Sequence, residues 1–201
     1  MKPMLMNTEM VKAILAGRKT VTRRLIKPQP KNKPVFIIAG TPTKYIGKWF
    51  DEISDKYWTP PCHTGDVLYV RETWCKGSLN GGADQYFYKA DDNDFHCQWR
   101  PAIHMPKEAA RIFLRVIDVR VEHLKDVTLD DAIAEGCQGK FIGRGECVGA
   151  GWEILPEDEF ADLWDSTIKK SDLDKYGWDA NPWVWVIEFE RISKEEAMKN
   201  A

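Results

Sequence analysis

The chain has 201 residues, 43% of them hydrophobic, which is enough to bury a core within one domain. Its 29 basic side chains nearly cancel 31 acidic ones. The net charge of −2 excludes a bulk field that gathers polyanions, so any nucleic-acid contact must be a local patch and a small ligand is favoured over a long polymer.

In chain order, Asn7 or Thr8 caps a first helix whose Met10, Val11, Ile14 and Leu15 form one apolar stripe, and Gly17 stops it. Residues 25–63 are rich in Pro, Lys and aromatics, and only Val35 to Ala39 reads as a strand in an elaborated loop region. Thr64-Gly65-Asp66 is a turn that feeds a strand at Val67–Arg71. Gly77 to Gly82 reads as a flexible tip, and Gln85 to Lys89 as another strand. The β-branched and aromatic run Ala110 to Val121 predicts a long central strand. Thr128 and the early acids Asp130 and Asp131 start a helix that ends at Gly136.

The five glycines between Gly139 and Gly151 predict a mobile loop. Pro156, followed by Glu157, Asp158 and Glu159, opens a helix with Phe160, Leu163, Trp164, Thr167 and Ile168 at helical spacing. Trp183 to Glu190 closes the chain as a strand whose Trp183, Trp185, Ile187 and Phe189 share one face. Met198 to Ala201 are expected to fray. Strands with helices inserted between them, without βαβ alternation, predict an α+β fold: a small mixed β-barrel flanked by helices.

No apolar run reaches the length of a membrane span, and the N-terminus carries no apolar signal core. Cys62, Cys75, Cys97, Cys137 and Cys147 are odd in number and lack scaffold spacing, so a cytoplasmic, reducing location is expected. Cys62-His63, His96-Cys97 and His104 offer no CxxC or HxxxH pair, so no metal is expected. No glycine-rich phosphate loop is present either.

The densest chemistry lies in Gly17-Arg18-Lys19-Thr20-Val21-Thr22-Arg23-Arg24, which gathers an amine, two hydroxyls and three guanidiniums. With Ile14-Leu15-Ala16 before it, this run resembles the signature of the ASCH superfamily, whose members share a PUA-like barrel. Thr64-Gly65-Asp66-Val67-Leu68, Ala132-Ile133-Ala134-Glu135-Gly136 and Val184-Trp185-Val186-Ile187-Glu188-Phe189 match in order. Arg71-Glu72-Thr73-Trp74 and Trp178-Asp179-Ala180-Asn181-Pro182-Trp183 are similar to the larger, prophage-type members. The resemblance implies a single PUA-like domain over 1–201, with insertions near 27–62, 75–105 and 137–182. It also implies a hydrolase that removes acetyl from N(4)-acetylcytidine without a cofactor, its catalytic Lys, Thr and Glu falling on Lys19, Thr22 and Glu135. Other members of the superfamily imply a non-catalytic RNA-binding module or a ribonuclease.

In this reading Lys19 is the base and Thr22 the nucleophile or water-holder. The amine titrates near 10.4 in water. Partial burial with Arg18, Arg23 and Arg24 pushes it down, while Glu135 pushes it up. Arg24 or nearby backbone amides stabilise the oxyanion, or Lys19 and Arg24 simply grip a phosphate. Arg18 joins the substrate side, and Trp74 and Trp183 are candidates to stack a pyrimidine, whereas Trp164 and Trp185 belong to the core. Neither Lys19 nor Thr22 is expected in the core. Glu135 sits beside the helix stop, where the dipole disfavours a carboxylate, so a partner is expected, with Lys19 the candidate. The expected ligand is a modified nucleoside or an RNA base, with no membrane partner.

Overall fold

The computed structural model describes residues 1–37, 48–78, 82–91, 97–142 and 151–199. In chain order the first elements are β1 (Lys2–Leu5), α1 (Thr8–Leu15), β2 (Val21–Leu25), β3 (Val35–Phe36), β4 (Trp49–Asp51) and β5 (Lys56–Trp58). Next come β6 (Val67–Arg71), β7 (Trp74–Gly77), β8 (Gln85–Tyr88), β9 (Phe113–His123) and α2 (Leu129–Ala134). The last are β10 (Lys140–Ile142), β11 (Gly151–Ile154), α3 (Pro156–Thr167), α4 (Leu173–Tyr176), β12 (Trp183–Ile192) and α5 (Lys194–Lys199). The fold is α+β. The five-stranded sheet has the hydrogen-bonded order β1-β6-β9-β12-β2. Among the described residues no ladder joins β1 to β2, so the order is open. No helix among them is long and apolar enough to cross a membrane.

The chain divides into two compact units, 1–20 with 64–117 and 189–201, and 21–63 with 118–188. In the first, β1 runs parallel to β6, and β6 runs antiparallel to β9. Its core packs Val67, Tyr69, Trp74, Met105 and Phe113 with Ile192 and Ala197. Asn7 caps α1 by accepting from the Met10 N–H at 2.8 Å, and Gly17 ends the turn at φ 73°, which its missing Cβ permits. Glu72 is buried at 1% exposure and takes the Arg111 guanidinium in a fork, at 2.9 and 3.0 Å. Strand β7, not foreseen in the sequence, pairs with β8, and the Trp74–Arg100 bridge returns the chain alongside it. That return explains a Cys75–Cys97 disulfide that the odd cysteine count concealed, and Cys62 and Cys137 are buried.

In the second unit β2 pairs antiparallel with the first half of β12, over a cluster of Val21, Leu124, Ala132, Phe160, Trp164, Val184 and Val186. Both faces of β12 are covered from Val184 to Ile187, so its alternation marks facing rather than exposure. Thr128 and Asp131 form the capping box of α2, and Pro156 opens α3.

Several expectations change. The segment 25–63 is not a loop with one strand, since β3, β4 and β5 form an antiparallel meander. Gly139 to Gly151 begins and ends in the β10–β11 ladder, with 143–150 outside the described residues. Met198 belongs to α5 rather than to a frayed end. Ile38 and Ala39, and residues 79–81 of the Gly77–Gly82 tip, lie outside the described residues.

A single carboxylate organises the meander. Asp51, 1% exposed, accepts from the Lys31 and Ile53 N–H groups at 2.9 and 3.0 Å and from the Ser54 hydroxyl at 2.6 Å. Burial alone raises its pKa, but the bonds from Ser54, Lys31, Ile53 and Asn32 outweigh that and hold it below the ordinary value. An unfolded Asp titrates near 3.9. The folded carboxyl titrates lower, so its contribution to stability is present above that pH and is lost as the pH falls through the folded value. Melting temperatures of the wild type and Asp51→Asn should differ most near pH 6 and converge toward about pH 3. A gap that stays constant across that range would show that the charge does not hold the meander.

Candidate functional site

Strand β2 carries the second half of the basic run. It pairs Thr22 with Ile187, Arg23 with Val186 and Arg24 with Trp185. Cross-strand partners share a face and successive residues alternate. Thr22 and Arg24 therefore lie with Ile187 and Trp185, while Val21, Arg23 and Leu25 lie with Glu188, Val186 and Val184.

Arg23 enters the buried face, and its side chain has no solvent exposure. Nη1 stands 3.4 Å from Glu135 Oε1, and Nη2 stands 3.3 Å from Asp131 Oδ2 and 3.5 Å from Glu122 Oε2. The guanidinium carbon lies 5.6 Å from the Phe160 ring centroid, and Nε has no hydrogen-bond partner among the described residues. Arg120 shares two of these acids, donating from Nε to Glu122 at 2.6 Å and lying 3.5 Å from Asp131. Local structure delivers each acid. Asp131 is the third residue of α2 and completes its capping box, Glu135 is the C-cap of the same helix, and Glu122 lies near the end of β9.

On the other face Arg24 Nη1 donates to the Thr22 hydroxyl at 2.9 Å and to the Arg23 carbonyl at 3.0 Å. Burial pulls the Arg24 guanidinium below its ordinary pKa, with the nearby Glu135 and then Cys62 opposing it. Thr22 is 1% exposed. A buried hydroxyl with a guanidinium on it is costly core material, because desolvating the cation needs compensation that an apolar residue would not need. Chemically, the cation stabilises any negative charge that develops on the Thr22 oxygen.

Lys19 belongs to the first unit and is 2% exposed; its backbone N–H, with that of half-buried Arg18, donates to the Ala13 carbonyl. The expectation that Lys19 and Thr22 avoid the interior is thus corrected. Trp74 is buried, with the Tyr86 ring at 5.7 Å and the Arg100 guanidinium at 5.3 Å, so a base could stack on it only if these moved. Trp183 stacks on His123 with ring centroids 3.6 Å apart, which occupies one of its faces. Trp164 and Trp185 are buried, at 6% and 4% exposure, in line with the core reading.

Sequence reasoning missed Glu122 altogether and read Asp131 only as a helix-start acid. The signal that did carry was the misplaced charge of Glu135, whose ion pair within the second unit is with Arg23. Among the described residues no group of three His, Cys, Asp or Glu is placed to hold a metal ion. No family model, curated protein or solved structure matches the chain.

The geometry sets an order of stability losses. Glu135→Gln leaves Arg23 with Asp131 and Glu122, and should lower unfolding free energy by about 1–2 kcal/mol. Arg23→Met removes the one guanidinium common to all three acids, leaving Glu122 and Asp131 with Arg120, and should cost about 3–5 kcal/mol. Urea unfolding of both variants checks this, and an Arg23→Met protein as stable as wild type would remove Arg23 from its central position.

Proposed function

We propose that this chain is an ASCH-type protein with a PUA-like barrel that binds a modified nucleoside and hydrolyses the amide of N(4)-acetylcytidine. The observation that carries the reading is the 2.9 Å bond from Arg24 to the buried Thr22 hydroxyl. Support comes also from burial: Lys19, Thr22 and Glu135, selected by resemblance alone, are 2%, 1% and 2% exposed. Polar side chains of these types are seldom so enclosed without a partner or a task.

In this reading the Thr22 oxygen bonds to the acetyl carbon while its proton passes to the Lys19 amine. Arg24 stabilises the oxygen charge through the attack. The carbon–nitrogen bond then breaks, and the proton moves from Lys19 to the departing exocyclic amine of cytosine. Water hydrolyses the acetyl ester by the same route and releases acetate. Glu135, held by Arg23, orients the amine and relays the proton, which makes Arg23 a positioning residue. No cofactor or metal enters the sequence of steps, and the proposed compartment is the cytoplasm.

The assay is release of cytidine from N(4)-acetylcytidine by purified protein, followed by chromatography. Because Thr22 is buried, Thr22→Val is the informative change, since it keeps the volume and removes the hydroxyl. It and Lys19→Met should each lower turnover by about 10²- to 10⁴-fold. Arg24→Met should cost about 10²- to 10³-fold. Wild-type protein that releases no cytidine yet retains or cleaves an RNA strand would replace this reading with the binding module or the ribonuclease.

A further inference from the structure

The meander that follows β2 encloses a concavity of about 400 Å³ that the chemistry above does not use. Its lining combines Lys27, Lys56, Tyr57, Trp58 and Trp185 with a single acid, Asp55. Trp58 and Trp185 are buried at 5% and 4% exposure and are fixed, the first by its indole N–H on the Pro28 carbonyl at 2.9 Å, the second by the Trp49 ring at 5.7 Å. Tyr57 is 38% exposed and keeps an accessible ring, held on Phe50 with centroids 4.7 Å apart. Both lysines are exposed, and the Lys27 ammonium sits 4.6 Å from the Tyr176 ring centroid.

The exposed Tyr57 ring, backed by the fixed Trp58 and Trp185 and flanked by two ammonium groups, forms a surface on which a nucleobase stacks while its phosphate is neutralised. The contrast within the molecule is sharp. Another concavity of the second unit, of about 410 Å³, is lined by Asp165, Asp174 and Asp179 without a lysine or arginine among its described lining residues, and would repel a phosphate.

Register gives the pocket its meaning. Trp185, in the pocket wall, is the cross-strand partner of Arg24 and shares its face of the sheet, and Arg24 in turn holds Thr22. One wall of the aromatic pocket therefore shares a sheet face with the Thr22–Arg24 pair. We propose that it is a second nucleotide subsite, taking the base and phosphate next to the nucleotide at Thr22, so that the preferred ligand is a short single-stranded segment rather than a free nucleoside. Asp55 opposes phosphate at its own corner and suits an exocyclic amine of the base. The inference rests on the proposed function only for what occupies Thr22.

The test uses the full chain, with cytidine monophosphate and a cytidine trinucleotide as probes and tryptophan fluorescence as readout. The trinucleotide should bind at least about tenfold tighter than the mononucleotide. Lys56→Glu and Tyr57→Ala should each remove most of that gain, with turnover of free N(4)-acetylcytidine unchanged. Lys56→Glu should also flatten the log–log salt dependence of trinucleotide binding by about 0.7. A trinucleotide that binds no tighter than the mononucleotide, or a gain that survives both variants, overturns the inference. Lys56-dependent trinucleotide binding by a protein that releases no cytidine leaves this inference standing and sinks the catalytic reading instead.

Discussion

The register of Val21–Leu25 against Val184–Glu188 is the constraint on which the second unit depends. It splits two adjacent arginines between opposite faces of one short strand. A slip of one residue would send Arg24 into the cluster of Phe160, Val184 and Val186 and turn Val21 out of it. Two devices prevent this. Arg23 is held among Glu135, Asp131 and Glu122, contacts that a slip of one residue would break. At the end of the ladder the Gln29 side chain donates to the Ile26 and Trp183 carbonyls at 2.7 and 3.1 Å and accepts from the Trp183 N–H at 2.6 Å. A side-chain amide thus continues the ladder where backbone pairing ends.

The molecule contains two kinds of buried charge, and their geometries differ in a telling way. Glu72 and Arg111 meet in a planar fork at 2.9 and 3.0 Å, with Asp91 completing the guanidinium and the Tyr88 ring centroid 3.9 Å away. Directed, charge-assisted bonds offset part of the desolvation there, although burial still holds the Glu72 carboxyl above its ordinary pKa. Arg23 instead faces three acids at 3.3 to 3.5 Å and leaves Nε without a partner among the described residues. Long contacts to several carboxylates recover less per bond.

Features legible in the sequence were those written in neighbouring residues. Asn7 and Gly17 bound α1, Thr128 with Asp131 starts α2, and Pro156 starts α3, because caps and turns are decided within a few positions. The long strands β9 and β12 announced themselves by β-branched and aromatic runs. Strands β4 and β5 did not, since three residues give alternation no length to register and their support is the side chain of Asp51. The site was legible in part for the same reason. Thr22 and Arg24 belong to one short run, but Arg23 meets Glu122 and Glu135 across separations of 99 and 112 residues, which no local pattern encodes. Asp131 was hidden by doing two things at once, capping its helix and pairing with Arg23.

The route of the chain after β2 ties these points together. Leaving Leu25, it passes Ile26, whose N–H donates to the Trp183 carbonyl, and turns at once through Lys27 and Pro28 into the wall of the aromatic pocket. The strand that presents Thr22 and Arg24 is therefore continuous with the segment that shapes their surroundings. In the proposed reading this divides the labour. The ladder, fixed by register, supplies the reacting groups, whereas the meander, carried on an insertion and held by Asp51, selects what lies beside them. Variation in the meander would then change the ligand while the β2–β12 ladder, whose paired residues are 21–25 and 184–188, keeps its own backbone bonds.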